Sequence, residues 1–289
     1  MCIRDSTTGG NNASTTFAGI ISSTGPVSGS SLVVAGTGTL TLTNANTYTG
    51  TTTINSGASL ELGNGTTNGT VASVGITDNG SLILDENTGV TVGAPISGTG
   101  GVTASGAVQD TLSGTNTYSG ATVINGTSGL LAGSTSAFGG TGESAVTINN
   151  SGVLSLNGFN NTVGSIASAS ATTGITLGSS TLTTGGNNSS TTFAGDISGT
   201  GGILTKVGTG TMTLTGANSY TGATNINGGA LSIGQDSELG TAPGSATANM
   251  LTFNGGTLDT TKSFALGSNR GITLNAVSYT HLDVYKRQS

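Results

Sequence analysis

Charge is what this sequence has least of. Only 6% of its 289 residues are charged, against about 25% in an ordinary soluble protein. It holds six Lys and Arg, twelve Asp and Glu, one histidine, one cysteine and no tryptophan, for a net charge of −6. So few basic residues exclude a nucleic-acid partner, because neutralising phosphates needs a basic footprint. No stretch approaches the roughly 20 apolar residues of a membrane-spanning helix, and no signal peptide is visible. No segment keeps a helical period, and each glycine would cost a helix about 1 kcal/mol relative to alanine.

The two ends differ from everything between them. Residues 1–6 and 278–289 hold Cys2, Arg4, His281, Lys286 and Arg287, and both resemble translated adaptor or vector sequence. Segments of that kind are set apart as non-native tails before a fold is read, which leaves 7–277 as the body. The body has no cysteine, histidine or tryptophan, and its basic residues are Lys206, Lys262 and Arg270 against ten acids. General acid–base catalysis draws on a short menu of side chains. Here that menu shrinks to carboxylates, tyrosines and three cations.

Glycine is present in plenty, at 52 of 289 residues, where about 7% is average. A third of the residues are apolar and stand in alternation, with a modest net charge; that argues for order over disorder. The phrase GTGTLTLTNANTYTGTTTINSGASLELG at 36–63 returns as GTGTMTLTGANSYTGATNINGGALSIG at 208–234. TLSGTNTYSGATVIN at 111–125 is a looser copy. A long unit repeated within one chain points to stacked, similar pieces.

Within the unit, Thr39-Leu40-Thr41-Leu42-Thr43 and Thr211-Met212-Thr213-Leu214-Thr215 place apolar and polar residues on opposite faces, as the two-residue period of a strand requires. Between strands lie corners such as Ile54-Asn55-Ser56-Gly57, Ile148-Asn149-Asn150, Ile226-Asn227-Gly228-Gly229 and Phe253-Asn254-Gly255-Gly256. Asn and Gly tolerate positive φ and turn the chain sharply; an inward Asn would also bond its equivalents in neighbouring coils. Three short strands per 20–25 residues predict a single-stranded parallel β-helix, an all-β solenoid of about a dozen coils. At about 4.8 Å per coil the rod would be about 55–60 Å long. A β-sandwich would lack the long shared phrase. A propeller needs a constant interval, whereas Tyr48, Tyr118 and Tyr220 are 70 and then 102 residues apart.

These phrases resemble the passenger-associated transport repeat, also called the autotransporter-associated β-strand repeat. The fullest match, 192–234, has the family's F-x-G-x-I, L-x-K-x-G-x-G-x-L-x-L, N-x-Y-x-G-x-T and I-N-x-G-x-L in order. A second spans 17–63, and a degraded third spans 96–133. The resemblance implies a segment of an autotransporter passenger: a right-handed β-helix exported through the bacterial outer membrane, its repeats aiding secretion, presenting an adhesin at the cell surface. It implies an outer-membrane barrel of the same full-length protein as partner, and host or bacterial surface ligands as targets. A body without cysteine suits a chain that crosses a disulfide-forming periplasm unfolded.

The alternative is a carbohydrate-active β-helix, a polysaccharide lyase or glycosidase-like enzyme. It needs acids and cations converging on one groove, or a carboxylate pair at a suitable separation. Asp85-Glu86 and Asp236/Glu238 are the close acidic pairs, and both read as solvated turn charges. Asp78-Asn79-Gly80 reads as an ordinary turn, and the tandem calcium pattern of RTX repeats is missing. Thr39/Thr41/Thr43, Thr51/Thr53 and Thr211/Thr213/Thr215 invite an ice-binding reading, but the pattern fades between Ser144 and Ser170. The expectation is no catalytic residue, no metal ligand and no cofactor site. Asp110 stands where the other copies have Leu40 and Met212. A buried unpaired carboxylate costs several kcal/mol, so the register is expected to shift and leave Asp110 exposed.

Overall fold

Each alternating run becomes a short strand because its inward side chains are covered only when the next coil is laid over them. The computed structural model describes residues 5–8, 10–23, 29–140 and 142–275. Cys2, Arg4, Pro26, His281, Lys286, Arg287 and the tail drawn at 278–289 lie outside these residues. Parallel strands stack into a β-solenoid of about 12 turns, as the repeat predicts. One helical turn, the 3₁₀ segment Asp236–Leu239, stands among the described residues.

The core is a set of side-chain columns running along the rod. Leu40 pairs with Leu60, Leu60 with Leu82, and Leu82 with Val102, so successive coils are 20, 22 and 20 residues long. All four are buried, as are Leu42, Leu62, Leu84 and Ala104 beside them. Burying one such leucine contributes about 1.5–3 kcal/mol. No coil can collect that alone, which ties stability to stacking.

One coil crosses three faces. Strands Ile76–Asp78, Ser81–Asp85 and Thr91–Val92 follow one another along the chain and lie in three different sheets. Within a repeat copy, one strand pair lies over another: Thr39–Leu42 under Ser59–Gly63, and Ser31–Val34 under Thr52–Ile54. The second copy has the same pairs, Gln109–Leu112 with Gly129–Ala132 and Gly101–Ala104 with Thr122–Ile124. The third has Thr211–Leu214 with Ala230–Ile233 and Ile203–Lys206 with Thr224–Ile226. A repeat is thus a stacked pair of half-coils.

The copies are not all in phase around the rod. Thr39–Leu42 and Ser59–Gly63 of the first copy share an eight-stranded sheet with Gly101–Ala104 and Thr122–Ile124 of the second. The second copy is therefore turned by one face. The third returns to the first copy's phase. Its strand Thr211–Leu214 pairs with Thr191–Phe193, which continues the eight-stranded sheet through a bridge from Phe193 to Ser168. With coils of 20–24 residues, a tyrosine interval of 70 is about three and a third coils. That is why the spacing looked irregular.

The asparagine corners form a ladder, but on the outside. Asn149 donates to Asn125 Oδ1 at 2.9 Å and Asn254 to Asn227 Oδ1 at 2.7 Å, and Asn275 donates to Asn254. Asn227, Asn254 and Asn275 are exposed. Each follows the last inward residue of its strand, so a period of two turns it to solvent.

Asp110 corrects a second expectation. The register does not shift: Gln109, Asp110, Thr111 and Leu112 pair in order with Gly129, Leu130, Leu131 and Ala132. Asp110 points into the core and is buried. Its Oδ1 accepts the Val90 N–H at 3.0 Å, and that bond offsets part of the desolvation cost that had argued for exposure.

Candidate functional site

The feature common to all three copies lies inside the rod, in the phrase Asn-x-Tyr-x-Gly-x-Thr. Asn46, Asn116 and Asn218 are buried. Their Oδ1 atoms accept the backbone N–H of Ile21, Ile96 and Ile197 in the preceding coil, at 2.8, 2.9 and 2.8 Å. Their Nδ2 atoms donate to the carbonyls of Thr70, Ala137 and Glu238 in the following coil, at 3.1, 2.7 and 2.5 Å. One amide side chain thus holds three successive coils together. Only Asn or Gln offers both an acceptor and two donors for this, and Asn is the shorter.

Two residues on, Tyr48, Tyr118 and Tyr220 are fully buried. Their hydroxyls bond Thr52, Thr122 and Thr224 at 2.5, 2.6 and 2.7 Å. A buried phenol needs such a partner, and each threonine is itself inward on its strand. Burial pushes Tyr48 and Tyr220 up to about 12 and Tyr118 higher still, against the opposing hydrogen bonds from threonine. The intervening glycine is a close approach. A Cβ on Gly50, Gly120 or Gly222 would meet the carbonyl oxygen of Ser30, Gly100 or Gly202 one coil back.

The pattern of the passenger-associated-transport-repeat family matches residues 32–62, 111–126 and 204–233, the segments that hold these cassettes. The chain carries passenger-associated-transport repeats. A curated relative, the adhesin BmaC autotransporter of Brucella suis biovar 1 (strain 1330), is 35% identical over 210 residues. The alignment takes in 67% of this chain and 6% of that protein, so the chain spans a small part of its relative's length. No solved structure matches the chain. The all-β solenoid and its transport repeats together make this a β-helical passenger segment.

One buried charge belongs to a transport repeat and the others lie outside the matched segments. Lys206, the lysine of L-x-K-x-G-x-G, is 1% exposed, and its Nζ donates to the carbonyls of Val207, Gly208 and Gly228 at 2.7, 3.3 and 3.3 Å. Burial lowers its pKa. The first and second copies put Val34 and Ala104 there. Arg270 is buried as well; it pairs with both carboxylate oxygens of Asp236 at 3.0 and 3.2 Å and donates to the carbonyls of Leu239 and Gly240.

Three carboxylates in the earlier coils are buried with no cation beside them. Asp78 accepts the Gly80 N–H at 3.0 Å, Glu86 the Gly69 N–H at 2.9 Å, and Asp110 the Val90 N–H. In each the second oxygen, Asp78 Oδ2, Glu86 Oε1 or Asp110 Oδ2, has no partner. Burial raises Asp78 to about 6 and Glu86 to about 7, the latter helped by the charges of Asp110 and Asp85. Burial raises Asp110 too. Glu86 is therefore not the solvated turn charge expected of Asp85-Glu86. Glu238, also buried, folds back to accept the Gly234 N–H at 2.6 Å.

These acids do not converge on an open groove. Asp78, Glu86 and Asp110 face the interior, while Lys206 and Arg270 lie several coils further on. Among the described residues no group of three or more His, Cys, Asp or Glu is placed to hold a metal ion. The threonine rows are not flat exposed arrays either: Thr41 and Thr43 are buried, and Thr41 donates to Glu61 Oε2 at 2.6 Å. Sequence reasoning quoted the Asn-x-Tyr-x-Gly-x-Thr phrase as part of the repeat pattern but missed the role of its Asn, Tyr and Thr, although the three stood at fixed spacing in three copies.

Proposed function

We propose that this segment is a structural stalk of an autotransporter passenger, one that helps draw the chain across the outer membrane and presents a surface adhesin. On this reading it acts at the bacterial cell surface, joined in the full-length protein to an outer-membrane barrel, and it carries out no reaction of its own. The observation that supports it most is the cassette asparagine, which accepts from the coil before and donates to the coil after. A coil emerging from the membrane finds donors and acceptors waiting on the last coil laid down, and the apolar columns are buried one layer at a time. Each layer favours outward movement because its burial is not available inside a pore.

The test is surface display of the full-length protein in cells carrying Asn46→Ala, Asn116→Ala and Asn218→Ala together. Display is expected to fall several-fold with synthesis unchanged. Display at the wild-type level would overturn the secretion role. Binding of the displayed wild-type protein to host cells or to sister bacteria is the separate test of the adhesin role, and loss of display without loss of binding by purified passenger would separate the two.

A further inference from the structure

One face of the solenoid is interrupted. Strands Ala45–Asn46 and Thr70–Val71 form a two-stranded sheet that ends there, and the six-stranded sheet of the same face begins one coil later at Thr91–Val92. Between them lies a recess of about 10 Å³ bordered by Leu62, Gly69, Val71, Val90 and Val92, room for roughly one water molecule. The Gly69 amide, which faces the missing ladder, is taken by Glu86 of the next coil; the Val90 amide faces the coil beyond, just before the ladder of Thr91–Val92 with Thr111–Leu112 begins, and is taken by Asp110. Two successive seams beside the recess are thus closed by side-chain carboxyl groups instead of backbone carbonyls.

We propose that Glu86 and Asp110 make these two adjoining seams a proton-operated latch, sealed while the carboxyl groups are protonated and loosened when both ionise. Each carboxyl group is buried and has one oxygen without a partner. The charges that face Glu86 are those of Asp110 and Asp85, both of its own sign. From the coil below, Glu61 is turned outward to Thr41; from the coil above, Asp110 is paired with apolar Leu130. The basic residues of the described chain, Lys206, Lys262 and Arg270, all belong to later coils. Two like charges in a dry interior are relieved by taking up a proton or by letting water in. The recess supplies the way in, past Leu62, Val71, Val90 and Val92.

The direction follows from linkage. Glu86 titrates near 7 in the folded chain against an ordinary 4.5, so its stabilising share is complete below about 4.5 and is lost as pH rises through about 7. Asp110 is shifted the same way and adds to the effect. Amide-exchange protection at Gly69 and Val90, corrected for intrinsic exchange, should fall on the order of a hundredfold between pH 5 and pH 8. Protection at Ile197 and Asn218 in the third copy should stay level. Glu86→Gln with Asp110→Asn should hold the seams closed at pH 8, and Glu86→Gln alone should recover part of that protection if the double variant folds poorly. Protection that ignores pH would overturn the latch. So would protection regained at pH 8 on adding calcium or sodium chloride, since that would make the seams a cation site.

Discussion

Among the described residues the earlier coils bury acids and no base, the later coils bury Lys206 and Arg270 beside Glu238, and the two regions treat charge very differently. Lys206 and Arg270 satisfy their donors, the first on three carbonyls and the second on three carbonyls and a carboxylate. Asp78, Glu86 and Asp110 each find one N–H and leave an oxygen alone. The cause lies in the backbone. A carbonyl in a ladder still has a second lone pair to offer, whereas an N–H has a single proton and the ladder uses it. A parallel β-helix therefore receives an interior cation almost anywhere its corners turn inward. It receives an interior anion only where an N–H lies outside the ladder, at a corner such as Gly80 or before a strand begins, as at Val90.

Four substitutions would break or sharpen this contrast. Arg270→Ala should have the largest effect, because it strands the Asp236 carboxylate and the carbonyls of Leu239 and Gly240; about 3–5 kcal/mol of local stability should vanish, read as lost amide protection in the final coils. Lys206→Met should cost about 2 kcal/mol, since three carbonyls lose a charged donor; denaturant titration followed in the third copy would measure it. If that variant proved more stable, carbonyl capping of the ammonium would carry no weight.

In the earlier coils the sign reverses. Asp78→Asn keeps an acceptor for the Gly80 N–H and removes a charge whose pKa is raised from 3.8 to about 6. A raised folded pKa means stability that is whole below about 4 and lost through about 6 as pH rises. The variant should thus gain about 1–2 kcal/mol at pH 8 and almost nothing at pH 3. A thermal melt at each pH decides the matter, and an equal gain at both would show that charge is not the cause. Tyr220→Phe should be mildest, at about 1 kcal/mol for the lost bond to Thr224. Near-identical losses for Tyr48→Phe and Tyr118→Phe would show that the cassette works alike in both regions.

Alternation made most of the rod readable in advance. Leu40, Leu42, Leu60 and Leu62 had to share a face, and Lys206, two residues beyond Leu204, falls inward by the same period. Direction is lost at corners, where the period of two stops. That is how Glu86, just past the strand Ser81–Asp85, was taken for a turn charge, and how the corner asparagines were expected to point inward. Asp110 was misread for another reason. Its position in the repeat said inward and its chemistry said outward, and the chemistry was weighed without knowing that the Val90 amide, just before the strand Thr91–Val92, was free to meet it. Such a vacancy belongs to the coil below and leaves no mark near residue 110. The cassette itself was legible in spacing but not in meaning, because a single copy does not say which coils Asn116 touches.

The one-face turn of the second copy has a mechanical corollary. A tie placed always on the same side of a column makes a beam that is stiff in one plane and yields in another. Here Asn116 and Tyr118 anchor a different side from Asn46 with Tyr48 and Asn218 with Tyr220. Sideways load from flow or contact then meets reinforcement from more than one direction, as in a mast whose guy lines are spread around it.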